Sequence, residues 1–223
     1  MCGIAAIFEY MERGTVNRDE LLRVRERMRD RGPDGSGAWF SPDGRVGLAH
    51  RRLSIIDLSE AGSQPMVSGD GRLIVVFNGE IYNYRELRSS LEGRGCRFRS
   101  SSDTEVLLHL YREKGMGMLP ELRGMYAFAI WDEREKALFL ARDPFGIKPL
   151  YYADDGVRIR VASQVKALLS GGGIDTSLDP PGTVGYFLWG YVPEPYTLYK
   201  GIRQLPAGSW LRVGTSGSKD RGI

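Results

Sequence analysis

The sequence predicts an α+β protein in which antiparallel sheets stack on one another and helices cover them. Short β runs outnumber helical stretches along the chain. Turns as short as Asp132-Glu133-Arg134-Glu135 join apolar runs, which favours antiparallel pairing over βαβ crossovers. The run Met125-Tyr126-Ala127-Phe128-Ala129-Ile130-Trp131 is apolar on both faces, so this strand has to be covered on both sides. Packed sheets with outer helices supply that cover.

Strands are expected over residues 2–8, 45–49, 73–77, 125–131, 137–142 and 158–162, from β-branched and aromatic content and apolar alternation. Leu21, Val24 and Met28 follow helical spacing after Asp19. Asn83-Tyr84-Arg85-Glu86 and Ser102-Asp103-Thr104-Glu105 both fit a capping box and open helices reaching about residues 91 and 113. A further helix is expected over residues 163–169. Cys96 then reads as a small residue entering a strand. Beyond Gly171, glycines and prolines break up short aromatic pieces, and residues 214–223 read as a polar tail or truncated linker. One domain over residues 2–213 follows.

Composition narrows the function classes. With 223 residues, 42% hydrophobic and 26% charged, the chain has enough apolar material for a substantial core. The formal charge of +3 comes from dispersed arginines, which gives no case for a nucleic acid or an anionic membrane as partner. No apolar run approaches the length that spans a bilayer, and the run Ile4 to Phe8 lacks the basic flank of an export signal. Cys2, His50, Cys96 and His109 do not have zinc-ligand spacing, so no metal site is expected. A reducing, cytoplasmic setting fits the two cysteines.

The loop Gly171-Gly172-Gly173-Ile174-Asp175-Thr176-Ser177 resembles the pyrophosphate loop of ATP pyrophosphatases, but its first serine is a glycine. It also follows a helix and runs into Leu178-Asp179-Pro180-Pro181, where proline disfavours helical continuation. It is not read as an ATP site.

Cys2 is a candidate nucleophile, although from the opening dipeptide alone it reads equally as a small residue that starts the first strand. Once Met1 is removed, its thiol and the α-amine sit on one residue, and an amino-terminal amine can serve as base for such a nucleophile. That amine has an ordinary pKa of about 7.7 to 8.0, so part of it is free base at neutral pH. With Met1 attached the nitrogen is an amide and has no useful basicity.

The strings Met1-Cys2-Gly3-Ile4, Arg31-Gly32-Pro33-Asp34-Gly35-Ser36-Gly37, Leu48-Ala49-His50-Arg51-Arg52-Leu53-Ser54-Ile55, Asn78-Gly79-Glu80-Ile81-Tyr82-Asn83, Ser102-Asp103-Thr104-Glu105 and Arg142-Asp143-Pro144-Phe145-Gly146-Ile147-Lys148-Pro149-Leu150-Tyr151-Tyr152 occur in order. Together they resemble the class II glutamine amidotransferase domain of glutamine-hydrolysing asparagine synthetases, from Cys2 to about Val213. The resemblance implies a four-layer αββα amino-terminal nucleophile hydrolase fold and hydrolysis of L-glutamine at Cys2 through a thioester.

The resemblance also implies roles. Asn78 and Gly79 match the oxyanion donors, one through its carboxamide and the other through a backbone N–H that no side chain shields. The competing reading is an Asn-Gly hairpin turn, for which little strand remains before Asn83. Arg52 matches the residue that grips the substrate carboxylate, with the backbone near Ile55 adding contacts. If residues 46–52 stay extended, His50 and Arg52 share one face and Arg51 lies on the other, where it is expected to be solvated. Asp103 matches the partner of the substrate ammonium, with Glu80 assisting. Arg31 to Gly35 is read as scaffold, and both histidines as structural.

Two positions depart from the family pattern: Ala6 stands where glycine is usual, and Gln164 where glutamate is usual. A synthetase half is absent, so no cofactor is expected in this chain, and ATP and Mg belong to the missing domain. The expected partner is an ammonia-accepting synthetase domain or subunit. The oligomeric state is open, a homodimer among the options. Two other classes compete: an amino-terminal nucleophile hydrolase acting on another amide, and a non-catalytic interaction domain.

Overall fold

The computed structural model describes residues 1–11 and 14–223. In chain order it holds β1 (Gly3–Glu9), α1 (Arg18–Glu26), β2 (Gly35–Phe40), β3 (Val46–Arg52), β4 (Met66–Val67), β5 (Leu73–Ile81), α2 (Tyr84–Gly93) and α3 (Asp103–Lys114). There follow β6 (Gly124–Asp132), β7 (Ala137–Arg142), β8 (Tyr151–Asp154), β9 (Arg158–Ala162), α4 (Val165–Gly171), α5 (Pro180–Trp189), β10 (Arg203–Gln204), β11 (Trp210–Gly214) and β12 (Lys219–Gly222).

The strands form two antiparallel sheets, ordered β10-β8-β9-β1-β3-β2 and β12-β11-β7-β6-β5-β4. Strand alternation then makes three apolar layers. Ile4, Ala6, Phe8 and Leu48 of the first sheet meet Ile74, Val76, Ala129, Trp131 and Leu140 of the second between the sheets. Ala5, Ile7 and Ala49 turn outward under α1 and α4, where Leu21, Val24 and Leu168 pack. Phe77, Phe128, Ile130 and Phe139 turn outward on the other side, under Leu91 of α2 and Val106 and Leu110 of α3. The arrangement is helix, sheet, sheet, helix, as the resemblance implied. β6 is covered on both faces, as its continuous apolar run required.

Several elements departed from expectation for local reasons. β2 is not among the expected strands, and within it a side chain at Gly37 would collide with the Gln64 carbonyl. Residues 178–181 do not block a helix but start one. The Asp179 side chain accepts from the Gly182 N–H at 3.0 Å, and Pro180 and Pro181 occupy first-turn positions whose N–H groups need no partner. The expected strand after Cys96 is absent. Cys96 instead closes α2, its N–H bonding to the Leu91 carbonyl at 3.0 Å after Gly95 at φ +88°.

The capping boxes also differ. Asn83 makes no cap bond and instead bridges the Glu121 carbonyl and the Arg123 N–H. Ser102 caps α3 through the Thr104 N–H at 3.2 Å, while Glu105 accepts from Arg99 and Ser100 instead of returning to Ser102. The domain boundary at 213 moves as well. Residues 219–222 pair with 210–213 as β12, so the segment read as a tail is an edge strand. Its polarity suits a strand with one side in solvent.

No helix among the described residues is long and apolar enough to cross a membrane. Trp131 sits between the sheets with its ring 5.0 Å from Phe8, edge to face. Trp131→Ala is expected to lower unfolding free energy by about 3 to 5 kcal/mol, read as a reduced urea midpoint with unchanged slope.

Candidate active site

Cys2 immediately precedes β1, at the mouth of a pocket of about 250 Å³ between the two sheets. That volume lies just below the roughly 300 to 1,000 Å³ of sites for larger ligands and suits one amino acid. Its lining includes Cys2, Arg52, Ile55, Asn78, Gly79, Glu80 and Asp103, so the residues to which the resemblance gave catalytic or substrate-binding roles are brought to one cavity.

The thiol is held by one backbone unit. The Leu53 N–H donates to the Cys2 Sγ at 3.4 Å, and the Sγ lies 3.6 Å from the Leu53 carbonyl. Burial pushes the Cys2 thiol up, against the lowering effect of the Leu53 bond. A thiol raised in this way stays protonated at neutral pH and needs a base. Arg31 was expected to be scaffold, but its Nε donates to the Cys2 carbonyl at 3.0 Å and so fixes the residue that carries the nucleophile.

Asn78 and Gly79 lie inside β5, paired with Ala127 and Tyr126 of β6, which excludes the hairpin turn. A side chain at Gly79 would strike the Met125 carbonyl and stand 2.8 Å from the Tyr126 Cα, so only glycine fits. Asn78 is buried, and its Nδ2 is a buried donor with no partner. An unsatisfied buried amide costs about 1 to 3 kcal/mol, which a ligand acceptor would return.

His50 supports this strand from behind. Burial lowers its pKa to about 3, so the ring is neutral, and its Nε2 lies 3.2 Å from the Phe77 carbonyl. In the tautomer that donates there, Nδ1 is left as the buried unpartnered atom. The histidine is thus a strut between β3 and β5, in keeping with a structural role.

β3 does stay extended to Arg52. The Arg52 Nη1 donates to the Ser59 carbonyl at 2.9 Å and Nη2 to the Asp57 carbonyl. These bonds orient the guanidinium without neutralising it, and no carboxylate pairs with it among the described residues. Arg51, expected in solvent, is buried: its Nε donates to the Gly32 carbonyl at 3.0 Å and its Nη1 lies 3.6 Å from Glu26. The outer face of the first sheet is covered by α1 and the turn after it, so the opposite face of the strand is not water.

Asp103 is 4% exposed and accepts from the Ile81 N–H at 3.0 Å. Burial, with the Glu80 charge adding to it, raises its pKa to about 6 despite that bond. The pocket therefore carries an unpaired guanidinium at Arg52 and, at Asp103 and Glu80, carboxylates with no cation paired to them among the described residues.

Some contributors had no signal in the sequence. Gln64 accepts from the Phe77 N–H at 2.6 Å and donates to Thr104 Oγ1 at 3.2 Å, tying the pocket wall to β5 and α3. A lone glutamine in a loop has no motif to mark it. Lys148 also lines the pocket, and only its place in the string from Arg142 could have pointed to it. Ala6 lies in the core between the sheets and does not line the pocket. Gln164 keeps a buried amide oxygen with no donor, just before α4.

A family model described as a glutamine amidotransferase domain matches residues 1–221. The chain belongs to the glutamine amidotransferase domain family. It is 41% identical over 219 residues to "Asparagine synthetase [glutamine-hydrolyzing] 1" of Bacillus subtilis, covering 97% of this chain and 34% of that protein. It is 44% identical over 204 residues to "Putative asparagine synthetase [glutamine-hydrolyzing]" of Mycobacterium tuberculosis H37Rv, covering 86% and 31%. The domain thus spans about a third of the length of these relatives. The fold is shared with glutamine phosphoribosylpyrophosphate amidotransferase from B. subtilis, at a TM-score of 0.70 and 21% identity, covering 99% of this chain and 48% of that one.

The raised carboxyl of Asp103 has a consequence for stability. A carboxyl whose pKa is higher folded than unfolded stabilises the fold at low pH, and that contribution is lost as pH rises through the folded value. Holding Asp103 ionised at neutral pH costs on the order of 3 kcal/mol. Asp103→Asn is expected to raise the melting temperature at pH 8, with the gain shrinking towards pH 5 in thermal melts.

Proposed function

We propose that this domain hydrolyses L-glutamine to L-glutamate and ammonia at Cys2 and supplies the ammonia to an ATP-dependent, asparagine synthetase-type domain or partner in the cytoplasm. The observation that carries the reading is a single pocket holding a thiol, an unpartnered amide N–H, a free guanidinium and unpaired carboxylates. Those groups complement a reactive amide at one end of an amino acid and its carboxylate and ammonium at the other.

In this reading Met1 is removed, and the freed α-amine of Cys2 takes the thiol proton. The thiolate attacks the side-chain carbonyl carbon of glutamine. Negative charge moves to the carbonyl oxygen, where the Asn78 carboxamide and the Gly79 N–H donate to it. The ammonium formed at Cys2 returns its proton to the amide nitrogen, the C–N bond breaks, and ammonia leaves a thioester behind. Water, deprotonated by the same amine, attacks the thioester and releases glutamate and the thiol. Arg52 holds the α-carboxylate, with the Ile55 backbone beside it. Asp103 and Glu80 hold the α-ammonium.

The partner reading rests on the shared names of relatives three times as long and on one exposed face. α5 leaves Val184, Phe187, Leu188 and Trp189 exposed, with Tyr191 beside them. Such a continuous apolar strip on a short helix fits burial against another domain. ATP and Mg would act there and not at Cys2.

Protein shown by intact mass to lack Met1 should release glutamate and ammonia from glutamine, and Cys2→Ala should abolish turnover. Asn78→Ala should lower kcat by about 100- to 1,000-fold. Turnover of another amide in place of glutamine would select a different hydrolase, and no turnover by processed protein even with a cognate synthetase present would leave the non-catalytic reading.

Binding of the ammonium needs Asp103 ionised. With its pKa at about 6, KM for glutamine should rise as pH falls below that value, and Asp103→Asn should raise KM at pH 8 by tenfold or more. Initial rates across pH measure both.

A further inference from the structure

β4 pairs with β5 only at Met66 opposite Val75 and Val67 opposite Ile74. Continued by two residues, that register would bring Phe77 opposite Gln64. The Gln64 carbonyl instead lies against Gly37 of β2, and the side chain takes over: its Oε1 accepts from the Phe77 N–H at 2.6 Å. The Phe77 carbonyl meets His50 Nε2 at 3.2 Å, so both main-chain groups of this residue end on side chains. The Phe77 N–H can only donate, which fixes the amide. Oε1 faces Phe77, and Nε2 donates to Thr104 Oγ1 at 3.2 Å.

Along an antiparallel strand, alternate residues turn their N–H groups to opposite edges. Phe77 and Ile81 both donate away from β6, to Gln64 and to the Asp103 carboxylate at 3.0 Å. Gly79 lies midway between them, so its N–H faces the same edge. Tyr126, its partner in β6, bonds to Asp143 through both main-chain groups. Three successive N–H groups thus follow one edge, the outer two held by Gln64 and Asp103 and the middle one on a residue that lines the pocket. Thr104 follows Asp103 in the first turn of α3. That turn is therefore tied to the β5 edge at two points, by Asp103 at Ile81 and through Gln64 from Thr104 to Phe77. Apolar packing of Val106 and Leu110 on Phe77 holds the helix there without directing it. With one tie removed, the turn can pivot about the other.

We propose that Gln64 is a positioning residue that fixes the span between the Gly79 N–H and the Asp103 carboxylate, and so makes the site select glutamine over its shorter homologue asparagine. This rests on the glutamine reading of the pocket. In that reading Gly79 receives the side-chain carbonyl oxygen and Asp103 the α-ammonium, so the two points measure the side chain between them. A substrate shorter by one methylene, held at Asp103, falls short of the oxyanion donors. A fixed span turns that shortfall into lost rate, since misplacing a reacting group by about 1 Å costs on the order of 100-fold. A loosened span lets the shorter substrate draw the two ends together. Glutamine then loses alignment while asparagine gains it.

In protein lacking Met1, initial rates with glutamine and with asparagine give the ratio of their kcat/KM values. Gln64→Met keeps the length of the side chain and removes both bonds, and should lower that ratio by about tenfold or more, chiefly through kcat for glutamine. Gln64→Glu keeps an acceptor for Phe77, and the Thr104 hydroxyl can turn to donate to its other oxygen, so the ratio should stay within about threefold of the wild type. Thr104→Val cuts only the second arm and should move the ratio in the same direction as Gln64→Met. A second measurement needs no turnover. Calorimetric titration with glutamate and with aspartate, the product and its shorter homologue, should show the same narrowing of preference.

A folded Gln64→Met protein that loses rate or affinity by the same factor for both members of a pair, or not at all, overturns the proposal and leaves Gln64 a purely structural role. So does a Gln64→Glu ratio displaced as far as that of Gln64→Met, or a wild type with no preference for the longer member. Should Gln64→Met not fold, Thr104→Val decides, and an unmoved ratio there overturns the proposal. Glutamate preferred to aspartate, with that preference narrowed in Gln64→Met but no glutamine turnover, would sink the glutaminase reading alone. A wild type that binds neither ligand and turns over neither amide overturns both.

Discussion

The packing of β1 and β3 against β5 and β6 across the inter-sheet core is the constraint on which the site depends. Ile4, Ala6 and Phe8 meet Val76, Ala129 and Trp131 there, and His50 adds a directed contact to the Phe77 carbonyl. Apolar burial brings the sheets together but does not set their relative placement. A polar contact with one acceptor does, and it falls one residue before Asn78. Cys2, which leads into β1, is thereby brought opposite Asn78 and Gly79 on the other sheet.

Charge inside the pocket follows a single logic. Three charged groups that line it are oriented by backbone and left without a counter-ion among the described residues: Arg52 by the carbonyls of residues 57 and 59, Asp103 by the Ile81 N–H, Lys148 by its own N–H bonded to Asp143. Salt bridges elsewhere, such as Arg160 with Glu20, are closed pairs. Unpaired charge is costly to hold, and under the proposed function a zwitterionic ligand would return that cost on binding. Asp103 shows the cost most plainly, since burial raises its carboxyl to about 6.

How much was legible beforehand depended on whether the signal was local. The strand over residues 125–131 and the start of α3 at Ser102 are written in a few adjacent side chains, and both formed. The Asn-Gly pair was locally a turn, and strand pairing over nine residues overrode it. Pro180-Pro181 was read by what proline forbids inside a helix, whereas Asp179 placed the pair in the first turn, where it is tolerated. Residues 219–222 are polar enough to look like a tail, and only an available strand edge makes them β12. Arg51 illustrates the same limit for burial, since alternation names two faces and says nothing of what covers the second.

By itself the sequence determined the fold class, from composition and periodicity, and, from ordered short motifs, the family resemblance and through it seven of the residues that meet in the pocket. Tertiary structure alone decided what those residues do to one another. That the Asn78 amide lacks a partner, that Glu80 presses on Asp103, and that Lys148 lines one pocket with Cys2 all depend on which elements are packed together. The physical reason is that hydrogen bonding, desolvation and Coulomb interaction are set by distance in space, and residues 2, 31, 78, 103 and 148 become neighbours only when two sheets bury one face each.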